Sequence, residues 1–180
     1  TKDGGAIAFD NYGFKGTNGY QGWKEEDGVS RAITKSEFVI NKAANGGAVA
    51  VKVERDFYAV PTMFDEVTFT DNSATGKGGA ILAEDDITVK NSTFGGNSAD
   101  KGGALFVDLA ANVTLQDVVF TSNKAEASGG AIFVETGSSV TFTGDATFVA
   151  NTVGGVLNDI HNDGQVVVNA GTLTLDGGIT

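Results

Sequence analysis

The chain has 180 residues, a net charge of −11 and no cysteine. Its length suits one domain or an elongated stack of small units, its charge repels phosphate backbones and so argues against nucleic acid as a partner, and the missing cysteine excludes a disulfide frame or a thiolate metal site. With 26 glycines, 1 proline, 20 valines and 19 threonines against 7 leucines, the composition favours strands over helices or a proline-rich linker.

Taken in chain order, two motifs recur. Gly-Gly-Ala plus an aliphatic residue begins at Gly4, Gly46, Gly78, Gly102 and Gly129, with a degenerate sixth copy at Gly154-Gly155-Val156-Leu157. Phe-x-x-Asn begins at Phe38, Phe69, Phe94, Phe120 and Phe148, ending at Asn41, Asn72, Asn97, Asn123 and Asn151. The motifs alternate strictly. From Asn to the next Gly is 5, 6, 5 and 6 residues, then 3. The last three Gly-to-Gly spacings, 24, 27 and 25, are near one coil of a three-sided parallel β-helix; the first two, 42 and 32, are such coils carrying insertions. No run approaches ~18 apolar residues, so no segment reads as a transmembrane helix.

Each unit offers three short alternating runs. In the fifth they are Ala131–Glu135, Val140–Thr143 and Thr147–Val149. Alternation turns one residue in two inward. Stacked coils, about 4.8 Å apart, pair each strand with its copies above and below. The fold expected is all-β: a right-handed parallel β-helix of about six three-stranded rungs, one domain over residues 1–180, and a piece of a longer chain. Phe69, Phe94, Phe120 and Phe148 are expected to stack in the core. Asn72, Asn97, Asn123 and Asn151 are expected to form an amide ladder at the following turn. A second polar column, Glu66, Asn91, Asp117 and Asp145, marks the turn from the second strand to the third.

The two insertions run about 10–32 and 52–66. The first holds Tyr12, Phe14, Tyr20 and Trp23; the second holds Arg55, Phe57, Tyr58, Pro61, Met63 and Phe64. Insertions in solenoids map to loops on one face, often the binding face. Aromatic residues beside arginine are the composition of interface hot spots. Tyr12, Phe14, Tyr20, Trp23, Arg55, Phe57 and Tyr58 are therefore the partner-binding candidates, with packing on one another or capping of the stack as the alternative.

Chemistry is sparsely provided. A polysaccharide-cleaving site needs converging acids and bases, yet His161 lies about four rungs from Arg31 and Arg55, and Asp85 and Asp86 point to opposite sides of a strand. Asp159, His161 and Asp163 share one face of an extended strand and could bind a divalent metal; a polar outer face explains them as well. Glu25-Glu26-Asp27 reads as a solvated loop. No catalytic residue, metal or cofactor is assigned.

The alternating Gly-Gly-Ala-[Ile/Leu/Val] and Phe-x-x-Asn motifs, from about Ala32 onward, resemble the polymorphic membrane proteins of chlamydiae and related autotransporter passenger domains. The resemblance implies a right-handed β-helix, display on a bacterial surface or secretion, and adhesion to a protein or glycan of a host or neighbouring cell. Membrane contact is expected only through a C-terminal anchor outside this sequence. The rival expectations are a polysaccharide-cleaving β-helix enzyme and a bare structural stalk.

Overall fold

The computed structural model describes residues 4–9, 15–16, 19–20, 31–52 and 61–180. Among them every regular element is a β-strand, and the strands coil into a parallel β-solenoid. Three sheets run along its axis. The Gly-Gly-Ala sheet stacks Ile7–Phe9, Val49–Val51, Ile81–Ala83, Leu105–Val107, Ile132–Val134 and Ile160–Asn162, six strands bounding five turns. The asparagine sheet stacks Lys42–Ala43, Ser73–Ala74, Ser98–Lys101, Lys124–Ser128 and Thr152–Val153. The phenylalanine sheet takes the remaining side, from Arg31–Thr34 and Glu37–Val39 up to Gln165–Val168 and Leu173–Thr174.

The double glycine separates two backbone demands. The first glycine of each regular copy is left-handed, with φ from 58° at Gly46 to 72° at Gly4, a region open to glycine at no steric cost. The second lies against the next coil: a Cβ on Gly103 would collide with the Gly130 carbonyl oxygen, and one on Gly79 with that of Gly103. Neither glycine can be replaced without moving backbone.

The Phe-x-x-Asn motif builds two columns at once. Phe38, Phe69, Phe94, Phe120 and Phe148 stack nearly parallel, with successive ring centroids 5.2, 4.8, 4.5 and 4.7 Å apart. Coil spacing imposes this geometry, and each pair adds ~0.5–1.5 kcal/mol beyond area burial. The residue before each Asn is left-handed: Ile40, Asp71, Gly96, Ser122 and Ala150 have φ of 54–65°. That bend turns the Asn side chain inward. The Asn97 backbone N–H and Nδ2 both donate to Asn123 Oδ1 at 3.0 Å, and Nδ2 donates again to the Phe69 carbonyl at 3.0 Å. Asn72 and Asn123 repeat the pattern. A buried primary amide thereby satisfies both donor hydrogens and both acceptor lone pairs.

Two details depart from the sequence reading. The second and third runs of a unit fuse in two coils, as Ile87–Gly95 and Asn112–Thr121. The corner is made by one left-handed residue, Asn91 (φ 47°) or Asp117 (φ 53°), so pairing continues on both sides of it. The expected insertions are also shorter at their C-terminal ends. Arg31–Thr34 and Thr62–Asp65 are paired rung strands, and Phe64 is a core residue meeting Phe69 edge-on at 5.8 Å.

Candidate partner-binding corner

The Gly-Gly-Ala strands and the phenylalanine sheet meet at one edge of the solenoid. On the regular coils this corner takes only residues 84–86, 108–112 or 135–139. On the first two coils it takes residues 10–30 and 52–61. Their roots are in register: Ile7–Phe9 pairs with Val49–Val51, and Arg31–Thr34 pairs with Thr62–Asp65. Both long segments therefore leave and rejoin the solenoid at the same edge, one coil apart. Within the first, Lys15–Gly16 pairs antiparallel with Gly19–Tyr20.

Of the partner-binding candidates, Tyr12, Phe14, Trp23, Arg55, Phe57 and Tyr58 lie outside the described residues. Tyr20 is described only as part of that short hairpin. The phenylalanine and asparagine ladder residues occupy the interior, where Phe69, Phe120, Phe148, Asn72, Asn97, Asn123 and Asn151 have no exposed surface and Phe94 has 1%.

The described part of the corner carries two further columns on its outer side. The middle residue of each Gly-Gly-Ala strand points away from the core, yet Ala50, Leu82, Phe106 and Phe133 form a second buried apolar cluster. Phe106 and Phe133 stack at 4.8 Å, and His161 continues the column at 4.7 Å from Phe133. Lys77 Nζ sits 4.5 Å above the Phe106 ring and Lys101 Nζ 5.1 Å above that of Phe133, positions where the ring quadrupole attracts a cation.

Two residues further along each strand stand Glu84, Asp108, Glu135 and Asp163. Their N–H groups donate to the Val51, Ala83, Val107 and Val134 carbonyls of the preceding coil at 2.7–2.9 Å, so the four carboxylates rise in register. Lys77 Nζ reaches across Phe106 to Asp108 Oδ2 at 2.6 Å. The other Asp108 oxygen accepts the Leu109 N–H at 2.9 Å. That bond holds a turn in which Leu109 and Ala110 are both left-handed, with Leu109 60% exposed.

The face that Asp159, His161 and Asp163 could share in an extended strand is only partly formed, with His161 Nε2 3.4 Å from Asp163 Oδ1 and Asp159 turned inside. Asp159 is fully buried and accepts from Asn151 Nδ2 and the Gly177 N–H, His161 lies against Phe133, and Asp163 stands at the corner. Among the described residues no three His, Asp or Glu side chains could hold a metal ion together. Asp85 and Asp86 serve the turn: Asp85 Oδ1 accepts the Asp86 N–H, and Asp86 Oδ1 accepts from Asn112.

The outer aromatic column was not foreseen. Its signal was present in Ile81-Leu82-Ala83, Leu105-Phe106-Val107 and Ile132-Phe133-Val134, which are apolar throughout. A strand that does not alternate is buried on both faces.

These features define a parallel β-solenoid whose coil is written by alternating Gly-Gly-Ala and Phe-x-x-Asn motifs. The Chlamydia polymorphic membrane protein (Chlamydia_PMP) repeat matches it at residues 66–84, 91–108 and 117–135. Each match runs from a left-handed polar corner, through the Phe, Asn and Gly-Gly-Ala positions, to a corner acid. The chain is 26% identical over 175 residues to a Chlamydia pneumoniae protein named "Probable outer membrane protein pmp21", covering 92% of this chain and 10% of that protein. It resembles the chlamydial polymorphic membrane proteins in motif, spacing and sequence. No solved structure matches it significantly.

Proposed function

We propose that residues 1–180 act as one β-helical unit of a protein displayed at a bacterial outer surface, and that the unit binds a protein or glycan of a host or neighbouring cell without catalysing a reaction. The observation that carries this reading is the common root of the two long segments. A solenoid that turns this corner in three to five residues elsewhere spends far more on two adjacent coils. Long segments cost ordering entropy unless they pack or bind. These two hold the only tryptophan and all three tyrosines of the chain. The likeness to an outer membrane protein supports placement at the cell surface.

The test is adhesion to cultured cells, or direct binding to an isolated receptor, with Trp23→Ala and Tyr58→Ala. Both variants must first melt like the parent. Truncation of a hot spot costs ~2 kcal/mol or more, about thirtyfold in affinity. Undiminished binding in both, with loss on changing Leu109 or other surface residues of the regular coils, moves the site onto the solenoid flank. Turnover of pectin, pectate or chitin, abolished by changing one acid, replaces the binding role with an enzymatic one.

A further inference from the structure

The sixth Gly-Gly does not do what the other five do. In register, Ile132 pairs with Ile160, and a Cβ on Gly130 would meet the Asn158 carbonyl as one on Gly103 meets that of Gly130. The positions equivalent to Gly129-Gly130-Ala131 are thus Leu157-Asn158-Asp159. Gly154 and Gly155 fall three residues earlier, both left-handed (φ 56° and 85°), with nothing within 4 Å of a Cβ on either. They form the two-residue turn of a hairpin in which Thr152–Val153 pairs antiparallel with Val156–Leu157, the conformation that a tight hairpin with two left-handed central residues requires. Val156–Leu157 is the outermost strand of the asparagine sheet, where the strand of the next coil would otherwise pair.

Three independent features agree with this placement. The asparagine ladder ends here, because Asn151 Nδ2 donates at 2.9 Å to Asp159 Oδ1 instead of to another amide. A carboxylate accepts without donating, so it ends a chain of donors without leaving an unpaired hydrogen. The second Asp159 oxygen takes the Gly177 N–H at 2.6 Å and holds the following coil in place. That coil omits the asparagine sheet. Leu173 pairs beside Ala146 and Ile179 beside Ile160, six residues apart where the coil below uses fourteen.

We infer that the Thr152–Leu157 hairpin and Asp159 form a built-in terminator of one sheet. The hairpin covers the last parallel edge of the asparagine sheet, Asp159 closes its amide ladder, and the solenoid narrows from three sides to two while the other two sheets continue. An uncovered edge offers free N–H and C=O groups to any added strand, and natural sheets block such edges. Here the block is made from the chain itself, which turns back antiparallel.

The experiment uses the 180-residue chain with Gly154→Val/Gly155→Val, which forces branched residues into left-handed backbone. Amide exchange at Asn158, whose N–H donates to the Asn151 carbonyl at 2.9 Å, reports the hairpin, and sedimentation velocity over a concentration series reports edge pairing. The expected result is loss of Asn158 protection of tenfold or more. Species larger than the parent then accumulate with concentration, and adding Thr152→Lys on the exposed edge reverses the association. If circular dichroism shows that the double variant has lost its strands, Gly155→Ala, which meets no atom, weakens the same turn and decides in the same way. Lost protection with sedimentation unchanged overturns the guard. Retained protection overturns the assignment of the glycine pair as the hairpin's determinant. Association that persists with Thr152→Lys places the contact on another edge and overturns the inference too.

Discussion

Two aromatic columns run along this solenoid, one inside and one outside, and they are built by different rules. The inner column is phenylalanine at every coil from Phe38 to Phe148, with ring planes within 7° of parallel. The outer one changes from Ala50 and Leu82 to Phe106, Phe133 and His161. Inside, Phe69, Phe94 and Phe120 are each locked between two neighbours, and Phe64 and Phe142 edge Phe69 and Phe148, so coil geometry admits one shape. Outside, the residue needs only to fit under a lysine stem or its neighbours, and the position is free to specialise along the axis.

The sharpest way to test that difference is to truncate one ring of each column. Phe120 lies between Phe94 and Phe148 with no exposed surface. Phe120→Ala is expected to destabilise by ~3–5 kcal/mol, the usual range for a large cavity in a core that cannot collapse. Thr121→Ala, one residue on and facing out, is expected to cost under ~0.5 kcal/mol. Phe106→Ala is expected to fall between them, at about 2–3 kcal/mol, because the lysine stem above it can settle into part of the space. Urea melts of the three variants check the order. Equal costs for Phe106 and Phe120 would mean that the outer column is as rigidly enclosed as the core.

The inner column and the amide ladder were legible because Phe-x-x-Asn repeats with fixed internal spacing, and a coil of constant length turns a repeat into a column. The sixth Gly-Gly was misread for the same reason. Its glycines match the motif, and Val156 in place of alanine and the Asn151-to-Gly154 distance of 3, against 5 or 6 elsewhere, mark it as displaced. Residue identity pointed to a corner, but register and two left-handed glycines made a hairpin. The long coil spacing puts Phe64 in a loop, although Thr62-Met63-Phe64-Asp65 alternates as a strand does. The outer column escaped because inward and outward positions were assigned by alternation, a rule that holds only where one face meets water. The partner-binding candidates sit between the motifs, where no repeat constrains them.

The lysine above Phe106 separates the columns in a second way, since among the described residues no lysine or arginine stands over a ring of the inner one. Lys77 combines a ring contact with an ion pair to Asp108 whose two sides are 40% and 13% exposed. A double-mutant cycle of Lys77→Met and Asp108→Asn is expected to give a coupling of ~0.5–1 kcal/mol, the range for partly exposed pairs. It should shrink when salt is raised to 1 M, where the screening length falls to about 3 Å. A coupling that ignores salt would mean that the pair is held by a desolvated hydrogen bond, as in the interior.

A gain in stability, not a loss, is expected in the turn that follows each inner phenylalanine. All five coils need a left-handed residue there, and only Gly96 is glycine. Ala150 occupies the same position with φ 56°, exposed, its N–H donating to Asp176 Oδ2 at 2.7 Å. Its methyl group strains the backbone and contributes no burial, so Ala150→Gly relieves strain at the cost of a freer unfolded chain. The expected balance is a gain of about 0.5 kcal/mol. The reverse change is not its mirror image, because a Cβ on Gly96 would press on the Asp71 carboxylate of the coil below as well as strain the backbone. Gly96→Ala is therefore expected to lose more than Ala150→Gly gains, by ~1 kcal/mol or more. Thermal melts of the two variants measure this asymmetry. Equal and opposite shifts would show that the Asp71 side chain swings aside freely. The turn would then cost the same backbone strain on every coil, whatever lies beneath it.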